Sequence, residues 1–197
     1  MTTPLPTPGM LLAIMLACEL FLMRSRLSGD RERTADRGSL RLLFTIIFGS
    51  ILLAWLAGRL APQARFDALF ALDPLALQVV RWIGLALFVA GLALRWYSMA
   101  YLGRLFTYDV AIAADHRVVD TGPYRLIRHP AYTGSLLSFL GLGLVGGNAL
   151  SLALLLVPIT LAFLHRIAIE ETALKAALGS RYVDYAARTR RLVPFVY

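Results

Sequence analysis

Cysteine occurs once in this 197-residue chain, as Cys18, so no intramolecular disulfide can form and sulfur can supply no zinc site. Charge is scarce too: 16% of residues are Asp, Glu, Lys or Arg, against 58% hydrophobic, and the mean hydropathy is +0.67. These figures exclude an ordinary soluble domain, whose apolar share, Gly included, is about 45–50%. Internal repeats and low-complexity stretches are missing. Acids are the scarcer sign, 12 against 20 bases, which gives a net charge of +8 and a pI near 10.2. The bases form no single stripe of the kind a nucleic-acid surface needs. They sit at the borders of apolar runs, where anionic lipid headgroups attract them.

What the chain has in quantity is long apolar runs. A transmembrane helix needs roughly 17–25 such residues, and residues 5–23, 40–60, 75–100 and 130–164 qualify. The last run is too long for one span, and Gly146-Gly147-Asn148 near its middle is a turn signal. It therefore reads as a helical hairpin. The expected fold is all-α, a polytopic membrane protein with five crossings and a cytoplasmic C-terminal helical segment. Residues 1–100 supply three helices, and residues 101–197 carry most of the polar chemistry.

A cleavable signal is not expected, because the basic cluster follows the first apolar run instead of preceding it. Arg24, Arg26, Arg31, Arg33, Arg37 and Arg41 place the first loop in the cytoplasm by the positive-inside rule, so the N-terminus starts outside. Alternation puts the 61–74 loop and the Gly-Gly-Asn turn outside, and the 101–128 segment and the tail from Arg166 inside. Only Arg59, Arg65 and Arg81 lie near the outer face. Glu19 falls within the first run, where a charge is costly unless it is paired or near a helix end.

Chemistry is lettered most densely in Gly122-Pro123-Tyr124-Arg125, followed by Arg128-His129-Pro130-Ala131-Tyr132-Thr133-Gly134. Pro130 holds His129 out of the helical region and then starts a helix where its missing N–H does no harm. Farther on, Arg166 and Glu170 are four apart and share a helix face, while Glu171 points about 100° away. A surface ion pair at a helix end explains Arg166 and Glu170 equally well. An aromatic belt at the membrane border does the same for Tyr182 and Tyr185.

Taken in order, His116-Arg117-Val118-Val119, Gly122-Pro123-Tyr124-Arg125, Arg128-His129-Pro130-Ala131-Tyr132-Thr133-Gly134, Arg166, Glu170-Glu171, Leu174, Gly179, Tyr182, Tyr185 and Pro194 resemble the isoprenylcysteine carboxyl methyltransferase family. The resemblance covers the chain from about Phe106 onward; the first half shares only its helical, membranous character. It implies an S-adenosylmethionine-dependent membrane methyltransferase with its cofactor in a cytoplasmic pocket and a lipophilic or lipidated acceptor. Carried over, His116, Arg117, Val118, Val119, Tyr124, His129, Pro130, Ala131, Tyr132 and Glu170 line the cofactor site. Arg166 faces the acceptor, and Arg166 and Glu170 are the catalytic pair. Val118 stands where many members have Leu, and Asp109 where some have an amide.

Methyl transfer from a sulfonium is an in-line displacement, and positioning of this kind supplies about 7–11 kcal/mol. A carboxylate acceptor, with a free pKa of about 4, is already ionised, so neither a base nor a metal is called for. An amine acceptor, such as an aminophospholipid headgroup, would need a base, and Glu171 or His129 is available. Sterol-type membrane reductases, which use a nicotinamide cofactor, resemble this half as well; the Glu170-Glu171 pair favours methyl transfer. A non-enzymatic lipid binder, whose charges serve topology alone, leaves the ordered C-terminal motifs unexplained.

Overall fold

A computed structural model describes residues 5–26, 38–106 and 118–194. Their helices are α1 (Pro8–Arg26), α2 (Ser39–Leu60), α3 (Phe66–Leu69), α4 (Pro74–Leu102), α5 (Pro130–Gly146), α6 (Ala149–Leu178) and α7 (Ser180–Arg188), with short 3₁₀ turns at Pro62–Ala64, Gly103–Leu105 and Gly122–Arg125. Among the described residues there is no strand, only the isolated bridges Arg65 with Asn148 and Ile127 with Arg190. The first-loop arginines Arg31, Arg33 and Arg37 lie outside the described residues.

Local chemistry sets the helix ends. Asp73 caps α4 by accepting from the Ala76 amide at 2.8 Å, and Pro74 occupies the first turn. Gly147 ends α5 in the left-handed region (φ 69°), its amide returning to the Gly143 and Leu144 carbonyls. One residue later Asn148 caps α6 through the Ser151 amide at 2.9 Å. The hairpin expected from Gly146-Gly147-Asn148 is therefore present, and Asn148 also donates to the Ala61 carbonyl at 2.9 Å, fastening the turn to the end of α2.

Helices α2, α4 and α6 are long and apolar enough to cross a membrane; α5 and the Pro8–Leu22 part of α1 are apolar but shorter. Large apolar side chains such as Phe48, Trp55, Trp82 and Leu161 stand on their outer faces. In water such a surface would be a liability, whereas in a bilayer it is the solvated one. The tightest seam joins α4 to α5. A Cβ on Gly91 would lie 2.5 Å from the Gly134 carbonyl oxygen, and one on Gly141 would lie 2.4 Å from that of Gly84. Small residues seven apart on two antiparallel helices thus let the backbones touch, the usual source of helix association where lipid offers no hydrophobic drive.

At about 1.5 Å per residue α6 is roughly 45 Å long, more than the ~30 Å hydrocarbon core. Its last turns lie at the end where α4 finishes and α5 begins, Glu171 meeting Arg128 there. Gly179 (φ 57°) then turns the chain into α7, which folds back with Tyr182 and Tyr185 buried. Of the two readings open for these tyrosines, the aromatic belt does not describe them: they are 3% and 4% exposed, packed inward.

Candidate active site

The segment before α5 is held from both sides. Gly122 takes φ 56°, and a Cβ there would meet the Tyr101 ring at 2.6 Å, so both backbone and packing favour glycine. Tyr124 is buried, donates to the Ser98 carbonyl at 3.2 Å, and its own carbonyl accepts from the Tyr185 hydroxyl at 2.7 Å. The Arg128 and His129 amides donate to the Arg190 and Arg191 carbonyls, at 2.7 and 3.0 Å, so the tail lies against this segment like a short parallel ladder. Burial pushes the Tyr124, Tyr182 and Tyr185 hydroxyls well above the ordinary tyrosine range, with the negative charge of Glu170 adding at Tyr124 and that of Glu171 at Tyr182. All three are neutral hydroxyls at physiological pH.

The adjacent glutamates of α6 take different partners, as their helical spacing requires. Glu171 is 3% exposed and is gripped by Arg128 Nε at 2.8 Å, His129 Nε2 at 3.3 Å and Arg191 NH2 at 3.1 Å. Arg128 also donates to the Ala186 and Thr189 carbonyls at the end of α7. Glu171 thus ties α6, the segment before α5 and the tail into one unit. Glu170 faces another way: its side chain is 32% exposed, accepts from the Tyr132 hydroxyl at 3.1 Å, and lies 3.9 Å from His129 Nδ1. Such a carboxylate keeps acceptor capacity for a ligand.

One turn earlier, Arg166 is 2% exposed and donates to the Ser39 hydroxyl at the start of α2. Its positive charge also acts on the Tyr132 hydroxyl, which donates to Glu170 at 3.1 Å. A surface ion pair does not describe a guanidinium this deep. Arg166 and Tyr132 help to line a cavity of about 270 Å³ bounded by all five longer helices, with walls from Leu16, Leu43, Phe44, Phe139 and Phe163. Glu19 on α1 and Arg95 on α4 also line it and form a two-pronged ion pair, 2.5 and 2.7 Å. Glu19 is therefore paired, one of the two outcomes expected for it.

The structure brings Tyr132, Glu170 and Arg166 together and sets His129 beside them. Pro130 and Ala131 are buried in the packing of α5, Ala131 against Leu22 and Met99. Val118 and Val119 are half-buried, leading into the Gly122 turn. His116, Arg117 and Asp109 lie outside the described residues. Sequence reasoning missed Arg95 and Ser39, whose roles depend on residues 76 and 127 positions away. The only sequence signal for Arg95 was an unexplained charge in an apolar run that matched the unexplained acid at Glu19.

Comparison with known proteins follows the same geography. The sequence model of the family described as phospholipid methyltransferase matches residues 79–181, starting inside α4 and therefore earlier than the Phe106 boundary expected from motifs. Over 120 residues the chain is 36% identical to protein-S-isoprenylcysteine O-methyltransferase B of Arabidopsis thaliana, covering 58% of this chain and 61% of that one. Over 98 residues it is 33% identical to the cobalt-zinc-cadmium resistance protein CzcN of Cupriavidus metallidurans, covering 49% and 45%. The chain thus spans about three fifths of the length of the plant methyltransferases it resembles. A solved structure of the eukaryotic intramembrane Ras methyltransferase (isoprenylcysteine carboxyl methyltransferase) shares the fold at TM-score 0.63 and 19% identity, over 97% of this chain and 68% of that one. The fold likeness therefore includes the N-terminal helices, which the motifs did not reach. With more than half of its length matched from α4 to the first turn of α7, this integral membrane protein belongs to the phospholipid methyltransferase family.

Proposed function

We propose that the protein transfers a methyl group from S-adenosylmethionine to the carboxylate of a lipophilic acid, of which an isoprenylcysteine is the best-supported kind. The observation that carries this reading is the meeting of an apolar cavity with a buried arginine, Arg166, within one helical turn of the part-exposed carboxylate of Glu170. A greasy tail fits the cavity, its carboxylate fits the planar fork of Arg166, and the cationic methyl donor fits beside Glu170. Two features suit the cofactor: Glu170 retains acceptor capacity, and the buried Tyr182 hydroxyl, which feels the charge of both glutamates, has no hydrogen-bond partner among the described residues. A bound polar molecule would satisfy it.

When bound, S-adenosylmethionine supplies the electrophilic methyl carried on its sulfonium. Arg166 orients the acceptor carboxylate, assisted by Ser39 and Tyr132, while His129, Tyr132, Glu170 and the Val118-Val119 segment hold the donor. His116 and Arg117 are proposed to complete that wall, with Tyr124 setting the shape of the segment and Pro130 and Ala131 its backbone course. The acceptor oxygen forms its bond to the methyl carbon as the carbon–sulfur bond breaks, and no proton moves. This favours an acid over an amine acceptor, because Glu171, one of the two bases available to an amine reaction, is already occupied by Arg128, Arg191 and His129.

In this reading α1 and α5 cross the bilayer with α2, α4 and α6, giving five crossings, the N-terminus outside, and the site and C-terminus in the cytoplasm. Residues 1–100 contribute most of the acceptor cavity and residues 101–197 the donor site. The test is transfer of labelled methyl from S-adenosylmethionine to a prenylcysteine analogue by purified protein in detergent. NADPH binding with reduction of a sterol-like olefin, and neither binding of S-adenosylmethionine nor methyl transfer, would replace this assignment.

A further inference from the structure

A second pocket lies at the opposite end of the bundle and has no part in the chemistry above. Its volume is about 330 Å³, and Leu12, Ile51, Trp55, Leu142 and Leu155 form its apolar walls. Arg59, Arg65 and Arg81 also line it, and no acidic side chain does among the described residues. Arg59 stacks over the Trp55 ring at 5.1 Å. Arg65 is paired with Asp67 at 3.0 Å, which offsets one of the three charges. Arg81 stands seven residues into α4, roughly 10 Å along the helix, and its Nε is buried without a hydrogen-bond partner among the described residues.

The bland explanation for Arg81 is that it rests on the carbonyl end of α5. Yet the Gly143 and Leu144 carbonyls already accept from the Gly147 amide, the Gly147 carbonyl accepts from Phe66, and Arg81 Nε stays unsatisfied. The start of α6, through Asn148 and Ser151, lines the same pocket and adds the positive end of a 30-residue helix. Topology does not explain the arginines either, since this end is the one proposed to face away from the cytoplasm, where bases are normally few.

We infer that this pocket binds a phospholipid with an anionic headgroup, the phosphate meeting Arg81 and Arg59 and an acyl chain lying along Ile51, Leu142 and Leu155. Positive side chains over apolar walls at a membrane border match that ligand and no soluble anion alone. The inference does not depend on methyl transfer, but its topological step rests on the orientation proposed for the bundle.

The test uses the full chain with Trp82→Phe and Trp96→Phe, which leaves Trp55 as the sole tryptophan of the three. In detergent micelles, phosphatidylglycerol with brominated acyl chains is expected to quench Trp55 at about tenfold lower mole fraction than brominated phosphatidylcholine. Arg81→Gln, and to a lesser degree the exposed Arg59→Gln, should remove that preference while the melting temperature stays in place. Equal quenching by the two lipids overturns the inference. So does a preference that survives in both variants, or in Arg59→Gln alone should Arg81→Gln fail to fold. Inorganic phosphate that abolishes the preference at millimolar concentration, where chloride of equal ionic strength does not, would mark a free-anion site and overturn the lipid assignment.

Discussion

Arg128 and Arg191, at one end of the bundle, close on a single buried glutamate, whereas Arg59 and Arg81, at the other, line a pocket whose described wall has no acid in it. The same side chain therefore performs two kinds of work. At the first end the guanidinium groups are consumed in fixing three chain segments to one another, and this is what gives Glu170 and Arg166 a defined geometry. At the second end the positive charge is kept for something outside the chain. Burial alone does not decide which role an arginine has; the placement of carboxylates does. Glu19 and Glu171 are both at the first end, and each meets an arginine.

The comparison is broken most forcefully at Glu171. Losing one partner of a buried ion pair costs about 3–5 kcal/mol, so Glu171→Ala should lower the melting temperature more than any other change named here and expose the 189–194 tail to protease. Arg65→Ala, which removes an exposed pair at the other end, should leave the melting curve unmoved. Scanning fluorimetry with limited proteolysis reads both, and equal effects at the two ends would erase the distinction.

Arg166→Ala comes next. With an interface charge pair truncated, a loss of about 2–5 kcal/mol is expected, and kcat/KM for a prenylcysteine analogue should fall about 30-fold or more, with S-adenosylmethionine affinity nearly intact. Arg166→Lys should recover little, because a point charge does not reproduce the planar fork. Glu170→Gln should act on the other ligand, raising the S-adenosylmethionine Kd about tenfold, as loss of a charge-assisted hydrogen bond implies, and sparing the melting temperature. Calorimetry separates it from Glu171→Ala. The smallest effect belongs to Ser39→Ala, which loses one hydrogen bond to Arg166 and should raise the acceptor KM about fivefold; an unchanged KM would show that Arg166 holds its position without α2.

Much of this arrangement was legible before any coordinates. The Gly146-Gly147-Asn148 hairpin was, because a left-handed glycine followed by a capping asparagine is local chemistry. The divergence of Glu170 from Glu171 was too, because helical periodicity alone separates them. Their roles were not, since Arg191 and Arg128 reach Glu171 from elements whose approach no periodicity predicts. Tyr182 and Tyr185 stayed open for a related reason: next to a membrane, buried and belt tyrosines look alike until Gly179 is seen to turn α7 inward. The paired glycines Gly84 with Gly141 and Gly91 with Gly134 were in plain view as two seven-residue spacings, but an antiparallel register is needed before they become one seam.

One measurement bears most directly on the central claim. Purified protein is incubated with methyl-tritiated S-adenosylmethionine and a prenylcysteine analogue, beside the same analogue lacking its carboxylate, and base-labile methyl ester is counted. The account predicts label in the carboxylate compound only, and its loss in Arg166→Ala. Label that is stable to base, or equal label with and without the carboxylate, would contradict it.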